Sequence, residues 1–320
     1  MYKKICVVFA MTLSTSNVMA ADTATMAYVP NEKDATLSVI DTSVDSVMFQ
    51  IPKEGTLGQE INAVISDTTN NILFVVDSEA GKVVRVARDS RTIIDKLDVG
   101  KGTEGLALSP SGQEIAACQE ELNRVSFIDV ATFKIVASVN TTGQAPEHCV
   151  YSPNGKFLLA SQEASDSIDV IDTMTRKHIK TLSAAGHPRG MAFTPDGKQL
   201  YVANELAHVT EVWNTTDWTL NTTIKTGERS NGVIISSNGQ RVYISGGKSY
   251  TVDVIDTANN KVIKSIPVGE RPWNMALTPD DQKLYVANGR SNSVSVIDTT
   301  KMEVVKTIPV GEMPWGVYIP

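Results

Sequence analysis

The phrase Val-x-Val-Ile-Asp-Thr, or a close variant of it, returns at a nearly fixed interval along the chain. Its acidic position, which is substituted twice, falls at Asp41, Arg88, Asp129, Asp172, Asn214, Asp256 and Asp298. The seven copies lie 41 to 47 residues apart and cover almost everything after the first 25 residues. A period of roughly 40–50 residues built from short β-type runs is typical of propeller blades. The sequence therefore predicts an all-β, seven-bladed β-propeller.

Each repeat contains four short runs, A to D, which predict blades of four antiparallel strands. They are clearest near the C-terminus, at residues 274–278, 283–288, 293–298 and 304–310. Each run alternates or is apolar throughout, and each ends at turn residues. Turns such as Thr194-Pro195-Asp196-Gly197 predict hairpins between A and B. Between C and D, the recurring Asp can accept a hydrogen bond from its own following backbone, so we interpret it as a turn former rather than a catalytic group.

The two ends of the chain are out of register with the complete repeats. Residues 26–30 match strand B, so the first unit lacks strand A, whereas residues 314–319 match strand A and stop there. We therefore expect the C-terminal strand to complete the N-terminal blade. This arrangement closes the ring and removes an open sheet edge.

The first twenty residues have the pattern of an export signal. Lys3 and Lys4 precede an apolar stretch over 5–13, and small residues lead to Ala20. We predict a cleaved signal peptide over 1–20 and a single β-propeller domain over 21–320, located in a bacterial periplasm. No later segment reaches the ~20 apolar residues of a membrane span, so no membrane insertion is expected. The net charge of −7 makes nucleic-acid binding unlikely as the main role.

Two cysteines, Cys118 and Cys149, follow the predicted signal peptide. In an oxidising compartment an even number of cysteines favours a disulfide. Both residues would also fit as small apolar side chains of the core. The sequence leaves these two interpretations open.

Several motifs resemble the YVTN (YncE-like) β-propeller family, and the resemblance covers residues 26–320. The motifs are Tyr-Val-Ala-Asn at 201–204 and 285–288, the Pro-Asp-Gly turn, Val-Ile-Asp-Thr and Ile-Pro-Val-Gly. Val-Gly-Glu-Arg-Pro-Trp-Asn at 268–274 and Ile-Pro-Val-Gly-Glu-Met-Pro-Trp-Gly at 308–316 are similar to the branch called PQQ-dependent catabolism-associated β-propeller proteins. This resemblance implies a periplasmic propeller that accompanies pyrroloquinoline-quinone-dependent alcohol oxidation, without implying that it carries the cofactor. Blades two and three depart from the pattern, at 84–88 and 116–119.

The connections between strands D and A, and between B and C, share one end of a propeller, which we call the top face. Just before each inner strand the units carry Ile61, Glu104, Glu147, Arg189, Asn231, Trp273 and Trp315. The next position holds Asn62, Gly105, His148, Gly190, Gly232, Asn274 and Gly316. The B–C position holds Glu32, Ser78, Glu120, Glu163, Glu205, Gly247 and Gly289. Variation inside an otherwise regular repeat predicts a binding site at the mouth of the channel.

The predicted ligand- or partner-binding residues are Glu104, Glu120, Glu147, His148, Glu163, Arg189, Glu205, Asn231, Trp273, Asn274 and Trp315. The plainer interpretation is that exposed loop ends are simply polar. The carboxylates and His148 would also suit a metal ion, although no spaced ligand motif supports one. Trp273 and Trp315 either pack across a blade interface or form an aromatic wall for a ligand.

No nucleophile–base pair is evident, and no cofactor is predicted, so the sequence favours a non-enzymatic binding or accessory protein. Its partner would be a periplasmic protein, such as a quinoprotein dehydrogenase or a cytochrome, or a small ligand at the channel mouth. The first alternative is a lactonase-type hydrolase that uses Glu147, His148 and Arg189. Adjacent residues of a regular strand point to opposite faces, which argues against this pairing unless the backbone is irregular there. A further alternative is adhesion to surfaces or stacking of single-stranded nucleic acid on the tryptophans.

Overall fold

The computed structural model describes residues 25–320, and the signal peptide predicted for residues 1–20 lies outside them. Residues 25–320 form seven antiparallel sheets, which confirms the predicted seven-bladed propeller. Six sheets have four strands in sequence order, and the N-terminal sheet has three. Helical structure in this part of the chain amounts to one 3₁₀ turn, Glu163–Ser165. Within the same residues, no helix has the length and apolarity needed to cross a membrane.

The strands are numbered in chain order. Blade 1 contains β1 (Met26–Asn31), β2 (Thr36–Asp41) and β3 (Ser46–Ile51). Blade 2 contains β4 (Ile61–Asp67), β5 (Ile72–Asp77), β6 (Lys82–Ala87) and β7 (Thr92–Asp98). Blade 3 contains β8 (Thr103–Leu108), β9 (Glu114–Gln119), β10 (Arg124–Asp129) and β11 (Lys134–Asn140). Blade 4 contains β12 (Pro146–Tyr151), β13 (Phe157–Gln162), β14 (Ser167–Asp172) and β15 (Lys177–Ser183). Blade 5 contains β16 (Pro188–Phe193), β17 (Gln199–Asn204), β18 (Val209–Asn214) and β19 (Thr219–Lys225). Blade 6 contains β20 (Ser230–Ile235), β21 (Arg241–Gly246), β22 (Thr251–Asp256) and β23 (Lys261–Pro267). Blade 7 contains β24 (Pro272–Leu277), β25 (Lys283–Asn288), β26 (Ser293–Asp298) and β27 (Glu303–Pro309).

The hydrophobic core is divided among the interfaces between blades. Strands B and C are buried on both faces because a neighbouring blade packs on each side, and their sequences are accordingly rich in Val and Ile. One cluster joins Val39 and Ile51 of blade 1 to Val75 and Val84 of blade 2. The outermost strands are largely exposed, as in β7. The repeat therefore buries its apolar residues only when blades stack side by side.

The recurring aspartates form the turns predicted for them. Asp129 Oδ1 accepts a hydrogen bond from the Thr132 backbone N–H at 2.7 Å, and Asp172 Oδ1 accepts one from Thr175 at 2.8 Å. The hydrogen bonds from the Thr132 side chain and backbone also lower the pKa of Asp129. These carboxylates stabilise the C–D turns on the face opposite the channel mouth.

The C-terminal segment completes blade 1, as the sequence predicts. The Tyr28 N–H donates to the Tyr318 carbonyl at 2.8 Å, and the Tyr318 N–H donates back to Tyr28 at 2.9 Å. The Trp315 N–H donates to the Pro30 carbonyl at 2.9 Å. The segment thus lies antiparallel beside β1 and occupies the position that the inner strand holds in the other blades.

Each complete inner strand contains one extra residue near its top end. The register with strand B shifts between Ile61 and Val64, Thr103 and Leu106, Pro146 and His148, Pro188 and Met191, Ser230 and Val233, and Pro272 and Met275. An extra residue of this kind is a β-bulge, which re-aims the side chains around it. The strict in-and-out alternation of a strand therefore does not hold at the channel mouth.

A disulfide joins Cys118 of β9 to Cys149 of β12. The structure thus selects the first of the two interpretations that the sequence leaves open. The bond links blade 3 to blade 4, immediately beside the part of β12 that reaches the channel mouth.

Reducing this disulfide should lower the free energy of unfolding by about 3–4 kcal/mol, because it closes a loop with a sequence separation of 31 residues. Urea unfolding with and without dithiothreitol measures the difference. A Cys118→Ala/Cys149→Ala variant serves as the control, since dithiothreitol should leave its midpoint unchanged. Equal midpoints for the oxidised and reduced native chain would contradict the prediction.

Candidate functional site

A cavity of about 310 Å³ opens at the top of the channel, and we call it the mouth cavity. It is lined by Glu32, Glu60, Asn62, Ser78, Glu104, Glu147, Arg189, Asn231, Trp273, Asn274, Met313 and Trp315. Seven of these belong to the eleven predicted binding residues, namely Glu104, Glu147, Arg189, Asn231, Trp273, Asn274 and Trp315. The D–A positions of six of the seven blades therefore converge on one space.

Arg189 is the centre of the charged network at the mouth. Its Nη1 donates hydrogen bonds to Glu147 Oε2 and Glu163 Oε2, and its Nε lies 3.5 Å from Glu205 Oε2. The Arg189 side chain is 16% exposed and that of Glu147 is 2% exposed. Burial opposes the charge of Arg189, but these carboxylates outweigh it and raise the pKa of the guanidinium. The predicted B–C residues Glu163 and Glu205 thus join the D–A residues through one cation.

Two carboxyl groups that line the mouth cavity hold protons unusually tightly. Burial is the main cause that raises the pKa of Glu147 well above its usual range, and the neighbouring Glu104 and Glu163 carboxylates act in the same direction. Burial likewise raises the pKa of Glu104, although the charge of Arg189 opposes it. Glu147 Oε1 has no hydrogen-bond partner. The site therefore combines two carboxyl groups of raised pKa with a fixed positive charge.

Glu120 and Glu163 belong to the B–C connections, whereas Glu104, Glu147 and Arg189 belong to the D–A positions. Burial, together with the charges of Glu104 and Glu163, raises the pKa of Glu120 to about 7. The pKa of Glu163 shifts in the opposite direction. Burial opposes its ionisation, but its hydrogen bond with His187 and the positive charge of Arg189 lower its pKa. Glu120 does not line the mouth cavity, so the structure places it beside the site rather than in it.

His187, in the loop that leads into β16, also belongs to the network. Its Nε2 lies 2.9 Å from Glu163 Oε2 and 3.6 Å from Glu205 Oε2, and the hydrogen bond with Glu163 raises the pKa of the imidazole. The signal for this contact is its position, two residues before Arg189 in the same D–A loop.

Glu205 is held by two further arginines that the sequence analysis does not single out. Its Oε1 lies 3.1 Å from Arg229 Nη1 and 3.1 Å from Arg271 Nη2. Burial opposes the ionisation of Glu205, but the cations around it lower its pKa. Arg271 also lies over the ring of Trp273, with 5.7 Å between the guanidinium carbon and the ring centroid. Basic and aromatic groups thus share one side of the mouth.

His148 lies below the carboxylates, where its ring stacks on Trp315 with centroids 5.7 Å apart and planes 13° apart. Its Nδ1 is 3.6 Å from Glu147 Oε1. Burial lowers the pKa of the imidazole to about 3, so the ring is neutral near pH 7. The bulge between Pro146 and His148 brings these adjacent side chains to 3.6 Å, although His148 does not line the mouth cavity. The backbone is therefore irregular here, which is the condition that the sequence analysis attached to a pairing of Glu147 with His148.

Several buried polar atoms at the mouth and just below it make no hydrogen bond: Asn62 Oδ1, Glu147 Oε1, Asn231 Nδ2, Trp273 Nε1 and both ring nitrogens of His148. In folded proteins, most buried polar groups have a partner. Their concentration here provides donors and acceptors that a polar ligand can use.

Metal ligation was the second interpretation of the carboxylates. Across residues 25–320, no group of three or more His, Cys, Asp or Glu side chains is arranged to hold a metal ion. Arg189 Nη1 instead lies between Glu147 and Glu163 and provides the positive charge there.

Residues 172–312 match a family model described as "Lactonase, 7-bladed beta-propeller". Arg189, Glu205, Asn231 and Trp273 lie within the match, whereas Glu104 and Glu147 precede it. The expectation of a non-enzymatic protein is corrected by this finding, because the family is named for an enzymatic activity. No curated protein matches the chain.

Two solved structures share the fold. A functionally unknown protein from Desulfotomaculum acetoxidans superposes with a TM-score of 0.80 at 18% identity, over 92% of this chain and 99% of that one. Hydrazine synthase from Kuenenia stuttgartiensis superposes with a TM-score of 0.71 at 18% identity, over 84% of this chain and 92% of that one. At this level of identity the similarity concerns the fold alone.

Proposed function

We propose that this protein is a propeller hydrolase of the lactonase type, which opens a cyclic ester with water at the channel mouth. One observation carries the proposal: Glu104, Glu147 and Arg189 line the same cavity, and the pKa values of both carboxyl groups are raised. The partial match to the lactonase family model supports the reaction class.

The buried acid pair supplies both a proton donor and a proton acceptor. Like charges in one buried site resist ionising together, so burial and mutual repulsion favour a Glu104–Glu147 pair that shares one proton. The ionised member accepts a proton from the attacking water as general base. The protonated member delivers a proton to the ring oxygen as the acyl–oxygen bond breaks.

Arg189 would stabilise the negative charge that develops on the carbonyl oxygen. Its guanidinium lines the mouth cavity and is largely shielded from solvent, where an electrostatic interaction is stronger than in bulk water. The carboxylates around it fix its position, so little reorganisation is needed during the reaction. In the overall reaction, water adds to the acyl carbon, the ring C–O bond breaks, and a hydroxy acid is released.

Replacing Glu147 with Gln should reduce kcat/KM for lactone hydrolysis by at least about 100-fold, because a positioned acid–base group contributes this much or more. Stability should change little, since Gln has the shape of the protonated carboxyl and its carbonyl can still accept from Arg189 Nη1. The measurement is base uptake in a pH-stat with γ-butyrolactone, δ-valerolactone, glucono-δ-lactone and dihydrocoumarin, at pH 7.

The matched control is Glu303→Gln, at an exposed position of the outer strand β27. It should hydrolyse each lactone at the wild-type rate. The proposal fails if the wild-type protein opens none of these lactones, or if Glu147→Gln retains full activity.

We also propose that the protein works in an exported, oxidising location, as the predicted signal peptide and periplasmic location require. The disulfide between Cys118 and Cys149 supports this, because such bonds persist mainly in oxidising compartments. Placement in the YVTN family, and association with PQQ-dependent alcohol oxidation, stay predictions from the sequence.

A further inference from the structure

A second cavity of about 210 Å³ lies directly below the mouth cavity, and we call it the channel chamber. Asn62, Asn274 and Trp315 line both spaces, so the two meet at these side chains. The chamber lies within the ring of inner strands, and the C-terminal segment forms part of its wall through residues 315–318.

The walls of the channel chamber are mainly apolar. They include Ala63, Val64, Ile65, Leu106 and Val317. In the described part of the chain, no Asp, Glu, Lys or Arg side chain lines the chamber. The mouth directly above it holds three Glu–Arg contacts around Arg189. Polarity therefore changes sharply along the channel axis, from charged at the top to apolar below.

His148 and Trp315 both line the chamber. Their rings stack with centroids 5.7 Å apart, and both ring nitrogens of His148 lack a hydrogen-bond partner. A neutral imidazole beside an indole presents an apolar face with one polar edge. Such a wall suits a hydrophobic group that enters next to a polar ring.

We propose that the channel chamber receives an apolar substituent of the lactone whose ring is opened at the mouth. This inference rests on the proposed hydrolysis and specifies its substrate class, which is lactones that carry a hydrophobic arm. The polarity change fixes the orientation: the ester group lies in the mouth cavity beside the Glu147–Arg189 ion pair, and the arm passes Asn274 and Trp315 into the chamber. The reverse orientation would place apolar atoms against buried charges and the ester against apolar walls, which is unfavourable.

The first test uses the wild-type protein and γ-lactones that bear hydrogen, butyl or heptyl on the carbon next to the ring oxygen. Each buried methylene gains about 0.8 kcal/mol, which corresponds to roughly fourfold in kcat/KM. We expect kcat/KM to rise at least about 30-fold from the unsubstituted to the butyl lactone. A value that does not depend on the arm would overturn the chamber proposal and leave the hydrolysis standing.

The second test fills the chamber with a larger side chain. Leu106→Trp should lower the ratio of kcat/KM for the heptyl lactone to that for γ-butyrolactone by at least about 30-fold, because the indole occupies the space of the arm. Leu108→Trp is the matched control, two residues along β8, where the side chain lines a separate groove at the end of the propeller opposite the mouth. Its ratio should equal that of the wild type, and equal ratios for all three proteins would contradict the proposal.

A binding measurement separates failure of this inference from failure of the proposed function. The probe is 3-heptylcyclopentanone, which keeps the carbonyl and the arm in the positions they have in the heptyl lactone but has no ester bond to cleave. Calorimetry should detect binding to the wild type and to Leu108→Trp, and at least tenfold weaker binding to Leu106→Trp. If no lactone is hydrolysed and this pattern is still found, the hydrolase proposal fails and the chamber is retained. If the probe binds all three proteins equally, or none of them, the chamber proposal is wrong.

Discussion

We expect the Arg189→Met substitution to lower the free energy of unfolding by about 3–5 kcal/mol at pH 7, because it leaves buried carboxylates without their cation. Glu147 and Glu163 lose hydrogen bonds from Nη1, and Glu205 loses a positive charge at 3.5 Å. Methionine keeps most of the side-chain volume, so the loss reports on charge rather than on packing. Urea unfolding followed by tryptophan fluorescence measures it.

The loss should depend on pH in a defined direction. In the native protein the folded-state pKa of Glu163 is lowered, so this group stabilises the fold above its ordinary pKa, and that contribution disappears as the pH falls through the folded value. Without Arg189, burial leaves the carboxyl groups with raised pKa values. A raised folded-state pKa favours folding below the ordinary pKa and ceases to do so as the pH rises through the folded value. The deficit of the variant should therefore be smaller at pH 5 than at pH 7.

Arg241→Met is the control for this substitution. Arg241 Nη1 lies 3.3 Å from Asp256 Oδ1, and the Arg241 side chain is 34% exposed. A partly exposed ion pair contributes about 0–1 kcal/mol, so this variant should remain close to the wild type at both pH values. Equal losses for the two variants, or a deficit of Arg189→Met that does not change between pH 5 and 7, would refute the assignment of Arg189 as the essential cation.

Deleting residues 313–320 should abolish the cooperative unfolding transition of the propeller. The deletion removes backbone hydrogen bonds between Tyr28 and Tyr318 and between Pro30 and Trp315, and it removes Val317 from the core cluster shared with blade 7. Net hydrogen bonds contribute about 0.5–1.5 kcal/mol each and a buried apolar side chain about 1.5–3 kcal/mol. Their sum is comparable to the 5–15 kcal/mol that stabilises a typical domain. Circular dichroism during heating tests this expectation.

The same deletion exposes the free edge of β1, so size-exclusion chromatography should show aggregates. Removing Pro320 alone is the control, because this residue is exposed. That variant should melt as the wild type does and elute as a single species of the same size. A chain ending at residue 312 that stays compact and melts cooperatively would show that closure by the C-terminus is not required.

Most of the fold follows from the sequence because each blade is local. The four strands of a complete blade are consecutive, and a recurring Asp, substituted in two of the seven repeats, identifies the last turn, as Asp172 does in blade 4. The out-of-register ends predict closure correctly because the missing and the extra strand are both visible in the alignment of repeats. Even the residues that surround the mouth can be placed, since equivalent positions of the blades meet at the channel.

The chemistry of the site is harder to predict because it depends on contacts between blades. A regular strand would separate Glu147 from His148, and the bulge that brings them to 3.6 Å has no clear signal in the sequence. The contact of His187 with Glu163 and that of Arg271 with Glu205 join residues from different loops. The expectation of a non-enzymatic protein relied on the absence of an evident nucleophile–base pair in the sequence. The raised pKa values of Glu104 and Glu147 come from burial and from contacts between blades, and the sequence alone shows neither.

The bulges of the inner strands have a consequence for how such a protein diversifies. Each bulge lies near the top end of its inner strand. It therefore separates the rim residues from the regular pairing of strands A and B further down the blade. A substitution at a rim position whose side chain contacts no other blade alters a single sector of the rim, whereas Arg189 joins blades through Glu147 and Glu163. The rim can therefore vary sector by sector wherever no ion pair crosses between blades.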